Sequence, residues 1–373
     1  MNDTREFADR TVAGRRAVLV NVAERDPLDT SISRDEMRSL ARTLRLAVVQ
    51  EHLVRVDQPH RATFIGRGKA EELGRQGKAA RAEVFVCAAD LSPIQQRNLE
   101  EILETPVIDR TGVILRIFAE HARSAEGKIQ VELASLAYLL PRLAGHGAEL
   151  SRLGGGIGTR GPGEMKLEVM RRRIKDRMHR LSRQVADIER HRQLLRHGRR
   201  RRGMPLVSIL GYTNVGKSSL LNALSRRGDL CTADQLFSTL DPATRAVALP
   251  DGHTCLVSDT VGLLHRLPHH LIAAFRATLE EAAYADLLLC VYDGSSQALH
   301  RQRETTEDVI RDLGLLETPR IDICNKVDAV PDWERAGLLR GCPDAVLISC
   351  RTGEGIPELR QRMQEALNVV AAP

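Results

Sequence analysis

The sequence predicts an α/β protein in which a smaller α/β domain and a helical, coiled-coil-like linker precede a domain with a doubly wound, mainly parallel sheet. The first supporting observation is that short apolar runs alternate with helical patterns in both halves of the chain. In addition, a phosphate-loop (P-loop) motif directly follows one of these runs, and a heptad stripe lies between the halves. We therefore predict an α/β domain over 1–145, a glycine-rich segment with a basic helical linker over 146–203, and the P-loop domain over 204–373.

The composition favours a polyanionic partner. The chain of 373 residues carries a net charge of +6 and is long enough for two or three domains. Aromatic residues make up only 3%, so we expect any nucleic-acid contact to involve phosphates or shape rather than base stacking. The seven cysteines are scattered without a C-x-x-C pair and are predicted to be reduced core thiols. Since no apolar run approaches the roughly 18 residues of a membrane span, we expect a cytoplasmic protein without one.

The elements of the N-terminal domain follow from apolar spacing and one helix cap. Ser92 and Pro93 fit the N-cap and the first position of a helix, where these residue types are favoured. Residues 66–69 read Gly-Arg-Gly-Lys after a strand-like run, and either a phosphate-binding loop or a turn into a helix explains them. The predicted elements are strands over 17–22 and 84–87, a helix over 34–47, and one or two long helices over 112–139.

The linker combines a glycine-rich segment with a basic helix. Six residues of 153–164 are glycine, which fits either a plain linker or a hinge or docking loop that contacts an anion through Arg160. Apolar residues at 3- and 4-residue steps over 167–188 predict a helix packed against one partner helix. The other faces carry arginines with few acids, which favours phosphate contact over a solvated surface. The candidate RNA contacts are Arg160, Arg171, Arg172, Arg173, Arg177 and Arg180.

Residues 211–218 form the motif G-x-x-x-x-G-K-S between a strand-like run at 206–210 and a helical pattern. This order predicts a P-loop, because glycines let backbone N–H groups converge on phosphates at a helix N-terminus. Lys217 is predicted to reach the β and γ phosphate oxygens, and Ser218 to bind Mg²⁺ through its hydroxyl. The further strands predicted in this domain are 245–249, 254–257, 285–292, 320–324 and 345–348, before a last helix over 356–369.

Three further motifs follow the P-loop in the order of a guanine-nucleotide switch. Asp259 is predicted to act on Mg²⁺ through water, and the N–H of Gly262 to sense the γ-phosphate. Thr239 is predicted to close on Mg²⁺ when the γ-phosphate is present. Asp328 can accept two hydrogen bonds from guanine, a donor pair that adenine lacks. Residues 349–351 would place a backbone N–H near guanine O6.

Together these motifs predict an enzyme that binds and hydrolyses GTP. The catalytic candidates are Lys217, Thr239 and Gly262, and the metal ligands are Ser218, Thr239 and, through water, Asp259. The predicted nucleotide contacts are Gly211, Tyr212, Thr213, Asn214, Val215, Gly216, Lys217, Ser218, Ser219, Phe237, Thr239, Asp259, Thr260, Val261, Gly262, Asn325, Lys326, Val327, Asp328, Ser349, Cys350 and Arg351.

Two of the surrounding residues bear on the mechanism. Leu263 directly follows the Asp-x-x-Gly motif, where many GTPases carry a water-orienting glutamine, so we expect slow intrinsic hydrolysis that a partner stimulates. Asn214 occupies a P-loop position that several GTPases use to hold K⁺, so K⁺ stimulation is a further hypothesis. His265, His269 and His270 have no wider ligand cluster in the sequence, which favours a switch loop over a metal site.

Several segments resemble the signatures of the HflX GTPases, a family of the Obg–HflX group, and they cover nearly the whole chain. The glycine-rich segment is specific to that family. The matching segments are 92–100, 107–112, 130–133, 154–164, 237–242, 259–262 and 267–269. The resemblance implies a two-domain GTPase that uses GTP/GDP and Mg²⁺ and binds the large (50S) ribosomal subunit and its rRNA. It also implies ribosome-stimulated hydrolysis and, as in several members, splitting of stalled or idle ribosomes under stress. We expect a monomer.

The sequence departs from the family pattern in three respects. Glu164 is followed by Met165-Lys166 where Thr-Gln or Thr-Lys is usual, and residues 349–351 read Ser-Cys-Arg where Ser-Ala-Lys is usual. Many members carry a further C-terminal domain without a counterpart here, so we expect its contacts to be missing. Two alternatives stay open: a GTP-switched regulator of an RNA or protein with incidental hydrolysis, and ATP-dependent RNA remodelling through the N-terminal domain.

Overall fold

The computed structural model describes residues 12–143, 162–201, 204–225, 236–237, 243–264 and 282–371. Its contacts divide the chain into two compact units. The first comprises residues up to 120 together with 128–187, and the second comprises 121–127 and the residues from 188 onward. Each unit has an α/β architecture with its own sheet, which confirms the predicted fold class. Among the described residues, no helix is both long enough and apolar enough to cross a bilayer.

The first sheet has four strands, and every pair is parallel. The elements are β1 (Arg16–Ala23), α1 (Pro27–Thr43), β2 (Ala47–Arg55), α2 (Arg67–Ala79), β3 (Val84–Cys87), α3 (Pro93–Leu103), β4 (Val107–Asp109) and α4 (Arg110–His121). The strand order is β2-β1-β3-β4. Helix α3 begins as predicted, because Ser92 and Gln95 exchange side-chain and backbone hydrogen bonds in a capping box and Pro93 follows the cap.

Some predicted boundaries in this part of the chain are wrong. The helix predicted over 34–47 is α1, which starts two turns earlier and ends at Thr43. Asp26 starts it, because its carboxylate accepts the N–H of Leu28. Strand β2 was not predicted, since this edge strand carries polar residues at its centre instead of an apolar run. Strand β4 is only three residues long, which leaves too short a pattern to recognise.

Two helices, α5 (Ala125–Arg142) and α6 (Pro162–Arg201), pack together through the predicted heptad stripe. Ile174 and Leu181 of α6 are buried in one cluster with Leu136 of α5. Arg177 donates two hydrogen bonds to the Glu132 carboxylate, at 2.6 and 2.7 Å. The stripe therefore has a partner helix, as the spacing predicts.

The buried carboxylate of Asp109 connects two of the segments that resemble family signatures, 92–100 and 107–112. Asp109, at the end of β4, is 0% exposed and accepts hydrogen bonds from the Tyr138 hydroxyl at 2.7 Å and from Arg142 at 2.8 Å. Arg142 also donates to the Gln96 side chain at 2.8 Å. These residues therefore hold α5 against the first sheet.

The second sheet has six strands, and all are parallel except β6, which pairs antiparallel with β7. The elements are β5 (Leu206–Gly211), α7 (Lys217–Ser225), β6 (Ala243–Ala248), β7 (Thr254–Asp259), β8 (Leu287–Asp293), α8 (Leu299–Asp312), β9 (Arg320–Asn325), a short 3₁₀ turn (Val327–Ala329), α9 (Asp332–Gly341), β10 (Val346–Leu347) and α10 (Ile356–Ala371). The order is β10-β9-β8-β5-β7-β6, so β5 lies inside the sheet and is buried along its whole length. This is the doubly wound arrangement that the alternating pattern predicts.

Candidate nucleotide-binding site

The P-loop, residues 211–218, lies at the carboxyl end of β5, between the neighbouring strands β7 and β8. Doubly wound proteins bind ligands at such a topological switch point. Gly211 has a φ of +152°, and a Cβ there would collide with the carbonyl of Val291. Gly216 has a φ of +96°, and a Cβ there would collide with the side-chain amide of Asn325. The loop therefore needs glycine at both motif positions.

Lys217 is buried at the start of α7. Its Nζ donates a hydrogen bond to the carbonyl of Tyr212 at 2.7 Å. Burial lowers the pKa of Lys217 to about 8, an effect that the charge of Asp259 partly opposes. A desolvated cation is stabilised when an anion binds next to it, so this environment suits a phosphate.

Ser218 and Asp259 bring two oxygen donors together beside the loop. The Ser218 hydroxyl donates to Oδ2 of Asp259 at 2.7 Å, and Asp259 is 0% exposed. Hydroxyl and carboxylate oxygens are the hard ligands that Mg²⁺ prefers. The donor set therefore fits Mg²⁺. Thr239, the third predicted ligand, lies outside the described residues.

The segment after β7 folds back on the P-loop. The N–H of Leu263 donates to the Gly211 carbonyl at 3.0 Å, and the N–H of Thr213 donates to the Leu263 carbonyl at 2.8 Å. A Cβ on Gly262 would lie 3.0 Å from Nζ of Lys217, so Gly262 is adjacent to the amine. The Leu263 side chain is buried in the core of the second unit. Its position therefore offers no polar group that could orient water.

The base-recognition motif is joined to the P-loop through Asn325. Its Nδ2 donates to the Val215 carbonyl at 2.8 Å, and its Oδ1 accepts the N–H of Cys350 at 3.1 Å. Asp328 accepts a hydrogen bond from the Ser349 hydroxyl at 2.6 Å. One side chain therefore links the phosphate loop to the two segments that are predicted to contact the base.

Two ion pairs at the carboxyl edge of the second sheet were not predicted from the sequence. Lys326 donates to Oδ2 of Asp293 at 2.7 Å, and Arg351 pairs with Oδ2 of Asp328 at 2.6 Å. Asp293 ends β8, so its place at the carboxyl edge of the sheet was an available signal. No sequence pattern indicates the pairing of Arg351.

Phe237 is buried, and its carbonyl oxygen lies 2.6 Å from Nδ1 of His121, a residue of the same unit. Asn214 is exposed with a φ of +62°, and Thr260 donates through its hydroxyl to the Ile209 carbonyl at 2.6 Å. Other predicted contacts that are buried or half-buried are Ser219, Val261 and Val327.

The basic residues considered as RNA, phosphate or metal contacts differ in their exposure and in their ion-pair partners. Those exposed on α6 are Arg171, Arg172, Arg173 and Arg180. Arg177 is bound to Glu132. In the loop 66–69, Lys69 pairs with Glu72 at 2.8 Å within α2, which favours a turn into a helix. The candidates outside the described residues are Arg160, His265, His269 and His270.

Family models match three stretches of the chain. Residues 31–119 match the N-terminal region of GTP-binding GTPases, and residues 121–199 match their middle region. Residues 206–326 match a family described as 50S ribosome-binding GTPases. Each match covers a different part of the chain, and the third contains the P-loop.

Individual proteins match over nearly the whole chain. The GTPase HflX of Lacrimispora saccharolytica is 45% identical and covers 94% of this chain and 83% of its own length. The GTPase HflX of Escherichia coli is 40% identical and covers 96% of this chain and 84% of its own length. The crystal structure of SsGBP with GDP, at 22% identity and a TM-score of 0.53, covers 96% of this chain and 100% of its own, and shares the fold. The chain therefore belongs to the HflX family of P-loop GTPases and is an enzyme that binds and hydrolyses GTP.

Proposed function

We propose that this GTPase associates with the large (50S) ribosomal subunit and splits or rescues stalled ribosomes under stress, with hydrolysis stimulated by the ribosome. The match of residues 206–326 to 50S ribosome-binding GTPases supports the partner. The observation that carries the need for stimulation is the burial of Leu263 in the core. Because this apolar side chain cannot hold the attacking water, a group from the partner has to complete the site.

In the proposed mechanism, the N–H groups of residues 211–218 hold the phosphates and Lys217 neutralises charge that develops between the β and γ phosphates. The Gly262 N–H donates to the γ-phosphate, so the segment after β7 distinguishes GTP from GDP. Water attacks the γ-phosphorus in line while the bond from that phosphorus to the β–γ bridging oxygen breaks. GDP and inorganic phosphate leave, and a proton of the water passes to solvent. Ser218 and Thr239, and Asp259 through water, would hold Mg²⁺, which would supply further neutralisation of the phosphate charge.

Guanine selection is assigned to Asp328. Its carboxylate would accept N1–H and the exocyclic amine of guanine, and residues 349–351 would supply a backbone N–H near O6. The contact between Asn325 and the Val215 carbonyl supports this assignment, because it fixes the base motif against the phosphate loop at 2.8 Å. Adenine would leave the carboxylate without its two donors.

We propose that α6 provides the RNA contact. The exposed arginines at 171–173 and Arg180 can neutralise rRNA phosphates without reading sequence. Arg177 is bound to Glu132, so RNA would have to compete with that carboxylate. Arg160 completes the proposed set.

Further expectations belong to the same proposal. They are the domain division at 1–145, 146–203 and 204–373, a monomeric state, a cytoplasmic location and stimulation by K⁺ through Asn214. Equal rates in KCl and NaCl would remove the last of these.

The test of the main proposal is GTP turnover with and without purified 50S subunits, together with sedimentation in the presence of a non-hydrolysable GTP analogue. We expect stimulation of at least about tenfold, because stimulation of P-loop GTPases in trans reaches about 10³–10⁵. We also expect co-sedimentation with the analogue and its loss with GDP. Binding without stimulation would favour the GTP-switched regulator instead. Turnover of ATP that survives Lys217→Ala would favour the ATP-dependent alternative.

A further inference from the structure

The carboxylate assigned to guanine is already engaged by two side chains. Oδ1 of Asp328 accepts the Ser349 hydroxyl at 2.6 Å, and Oδ2 pairs with the Arg351 guanidinium at 2.6 Å. The Asp328 side chain is 13% exposed, whereas that of Arg351 is 77% exposed. The hydrogen bond from Ser349 and the charge of Arg351 hold the pKa of Asp328 below its usual range. The carboxylate is therefore ionised and bound before any base arrives.

The two partners of Asp328 differ in how easily they can leave. Ser349 is 0% exposed, and its hydroxyl oxygen also accepts the N–H of Thr352 at 3.1 Å. The Arg351 side chain extends into solvent, where its charge is well hydrated and its rotamers are accessible. A ligand that needs Oδ2 would therefore displace Arg351 and leave Ser349 in place.

Guanine needs both carboxylate oxygens, because N1–H and the exocyclic amine lie side by side and each donates to one of them. The guanidinium is also a planar donor, and it meets a carboxylate with the same geometry. The exocyclic amine of guanine carries partial positive charge on its hydrogens, and the guanidinium carries a full positive charge. The two groups therefore repel each other when both approach Oδ2. The two groups compete for one acceptor.

We propose that Arg351 is an internal competitor for the guanine-binding carboxylate, and that it lowers the affinity for GDP and GTP and accelerates nucleotide release. This proposal depends on the assignment of Asp328 as the guanine acceptor. When the base leaves, Arg351 returns to Oδ2 and hinders rebinding. The residue at this position thereby adjusts the rate of nucleotide exchange.

The expected effect of Arg351 on the affinity for GDP is small. Exposed ion pairs are weak, so removing Arg351 should tighten GDP binding by roughly two- to fivefold. The effect should shrink as salt screens the pair, between about 50 mM and about 500 mM. Arg351→Lys keeps the charge but loses the planar pair of donors, so its affinity should lie between those of the wild type and Arg351→Ala.

The experiment measures the GDP dissociation constant and the dissociation rate with a fluorescent GDP analogue on the full chain. Arg351→Ala should bind GDP more tightly and release it more slowly at low salt. Arg311→Ala is the matched control, because Arg311 is an exposed arginine of the same unit that pairs with Asp308 at 2.7 Å on α8. It should behave as the wild type. Weaker GDP binding by Arg351→Ala would show that the guanidinium supports the base, and unchanged binding would show that it does neither. Either result overturns the proposal.

Asp328→Asn separates this proposal from the base assignment. If Asp328 reads guanine, Asp328→Asn loses GDP affinity and gains affinity for xanthosine diphosphate. In that background Arg351 faces a neutral amide, so adding Arg351→Ala should leave the affinity for xanthosine diphosphate unchanged. Unaltered GDP affinity in Asp328→Asn would overturn both ideas. Loss of GDP affinity in Asp328→Asn, with no effect of Arg351→Ala on the wild-type background, would overturn the competitor alone.

Discussion

Gly216 illustrates how a single residue can connect two functions. Its φ of +96° lies in the region that favours glycine, and its missing Cβ leaves room for the side-chain amide of Asn325. That amide in turn holds the Val215 carbonyl and the Cys350 N–H. A change at one P-loop position should therefore reach the base pocket as well as the phosphates.

Gly216→Ala should destabilise the protein and weaken GDP binding, because it combines backbone strain with a collision at Asn325. We expect a cost of about 1–3 kcal/mol in the free energy of unfolding and at least about a tenfold loss of GDP affinity. Gly252→Ala is the matched control, since Gly252 has a φ of +88° with no atom within 4 Å of the added Cβ. It should cost about 1 kcal/mol and leave GDP affinity unchanged. Equal effects of the two substitutions on GDP affinity would contradict the collision at Asn325.

The cysteines of the described residues act as core residues rather than reactive thiols. Six are unpaired, and all but Cys350 are buried. Burial raises the pKa of Cys87, Cys290 and Cys324 to about 12. The sequence predicts reduced core thiols, and the five buried cysteines lie in the core as predicted. Cys231 lies outside the described residues.

Iodoacetamide labelling tests the burial of individual cysteine thiols. At pH 8 the thiolate fraction of a thiol with a pKa near 12 is about 10⁻⁴, so Cys87, Cys290 and Cys324 should be nearly inert in the native protein. Because the thiolate is the reactive form, labelling should increase about tenfold per pH unit while the fold persists. Unfolding in guanidinium should expose all three at once. Peptide mapping by mass spectrometry reads each site, and fast labelling of any of the three in the native state at pH 8 would contradict their burial.

At the scale of elements, the sequence predicts most strongly where apolar runs are continuous. Strand β5 is buried along its whole length, and the run at 206–210 reveals it. Strand β2 shows why other elements escape prediction: Glu51 at its centre accepts hydrogen bonds from Asn21, Arg34 and Arg38. Such a strand is stabilised by polar partners distant in sequence, which apolar periodicity cannot detect. The same holds at the candidate site, where the motifs locate the P-loop but do not reveal the pairing of Arg351 with Asp328.

Helix α6 separates two roles for arginine that the sequence does not distinguish. Arg177 is fixed to Glu132 by two hydrogen bonds, whereas residues 171–173 are exposed. The first contact holds α6 against α5, and the second set is available to phosphates. Arg177 and the exposed arginines all contribute to the positive charge of α6, but only the exposed arginines should govern the salt dependence of RNA binding.

Reversing the charge at Arg171, Arg172 and Arg173 should weaken 50S association and flatten its dependence on salt. Each phosphate that these arginines no longer neutralise should reduce the slope of log K against log salt by about 0.7–0.9. Thermal stability should change little, because these side chains are exposed. Arg177→Ala should instead lower stability by up to about 1 kcal/mol, since the pair with Glu132 is about two-fifths exposed on each side. Arg311→Glu reverses a single charge on the exposed surface of α8 and controls for the effect of net charge per reversed arginine. A slope that the triple reversal leaves unchanged would show that the three arginines are only solvated.

At the scale of the whole molecule, two units with separate sheets offer two places where a nucleotide could act. The second unit carries the P-loop and the guanine motif, while the first carries only the loop 66–69, where Lys69 is paired within α2. The P-loop and the guanine motif therefore favour GTP binding in the second unit, and the described residues of the first unit carry no comparable set of nucleotide-binding motifs. Nucleotide-dependent protection of the backbone can distinguish these two cases.

Hydrogen exchange read by mass spectrometry should show protection by GDP in the second unit, concentrated in peptides that cover residues 211–225 and 320–330. A ligand at 100 times its dissociation constant stabilises the state it binds by about 2.7 kcal/mol, which slows exchange there by about 100-fold where opening releases the ligand. ADP at the same concentration is the matched control and should protect neither region, because adenine lacks the donor pair for Asp328. Protection of the peptides around 66–79 by ATP would establish the alternative function of the first unit. Equal protection by GDP and ADP would refute the guanine site itself, since the P-loop would then be the only part of the site in contact with the nucleotide.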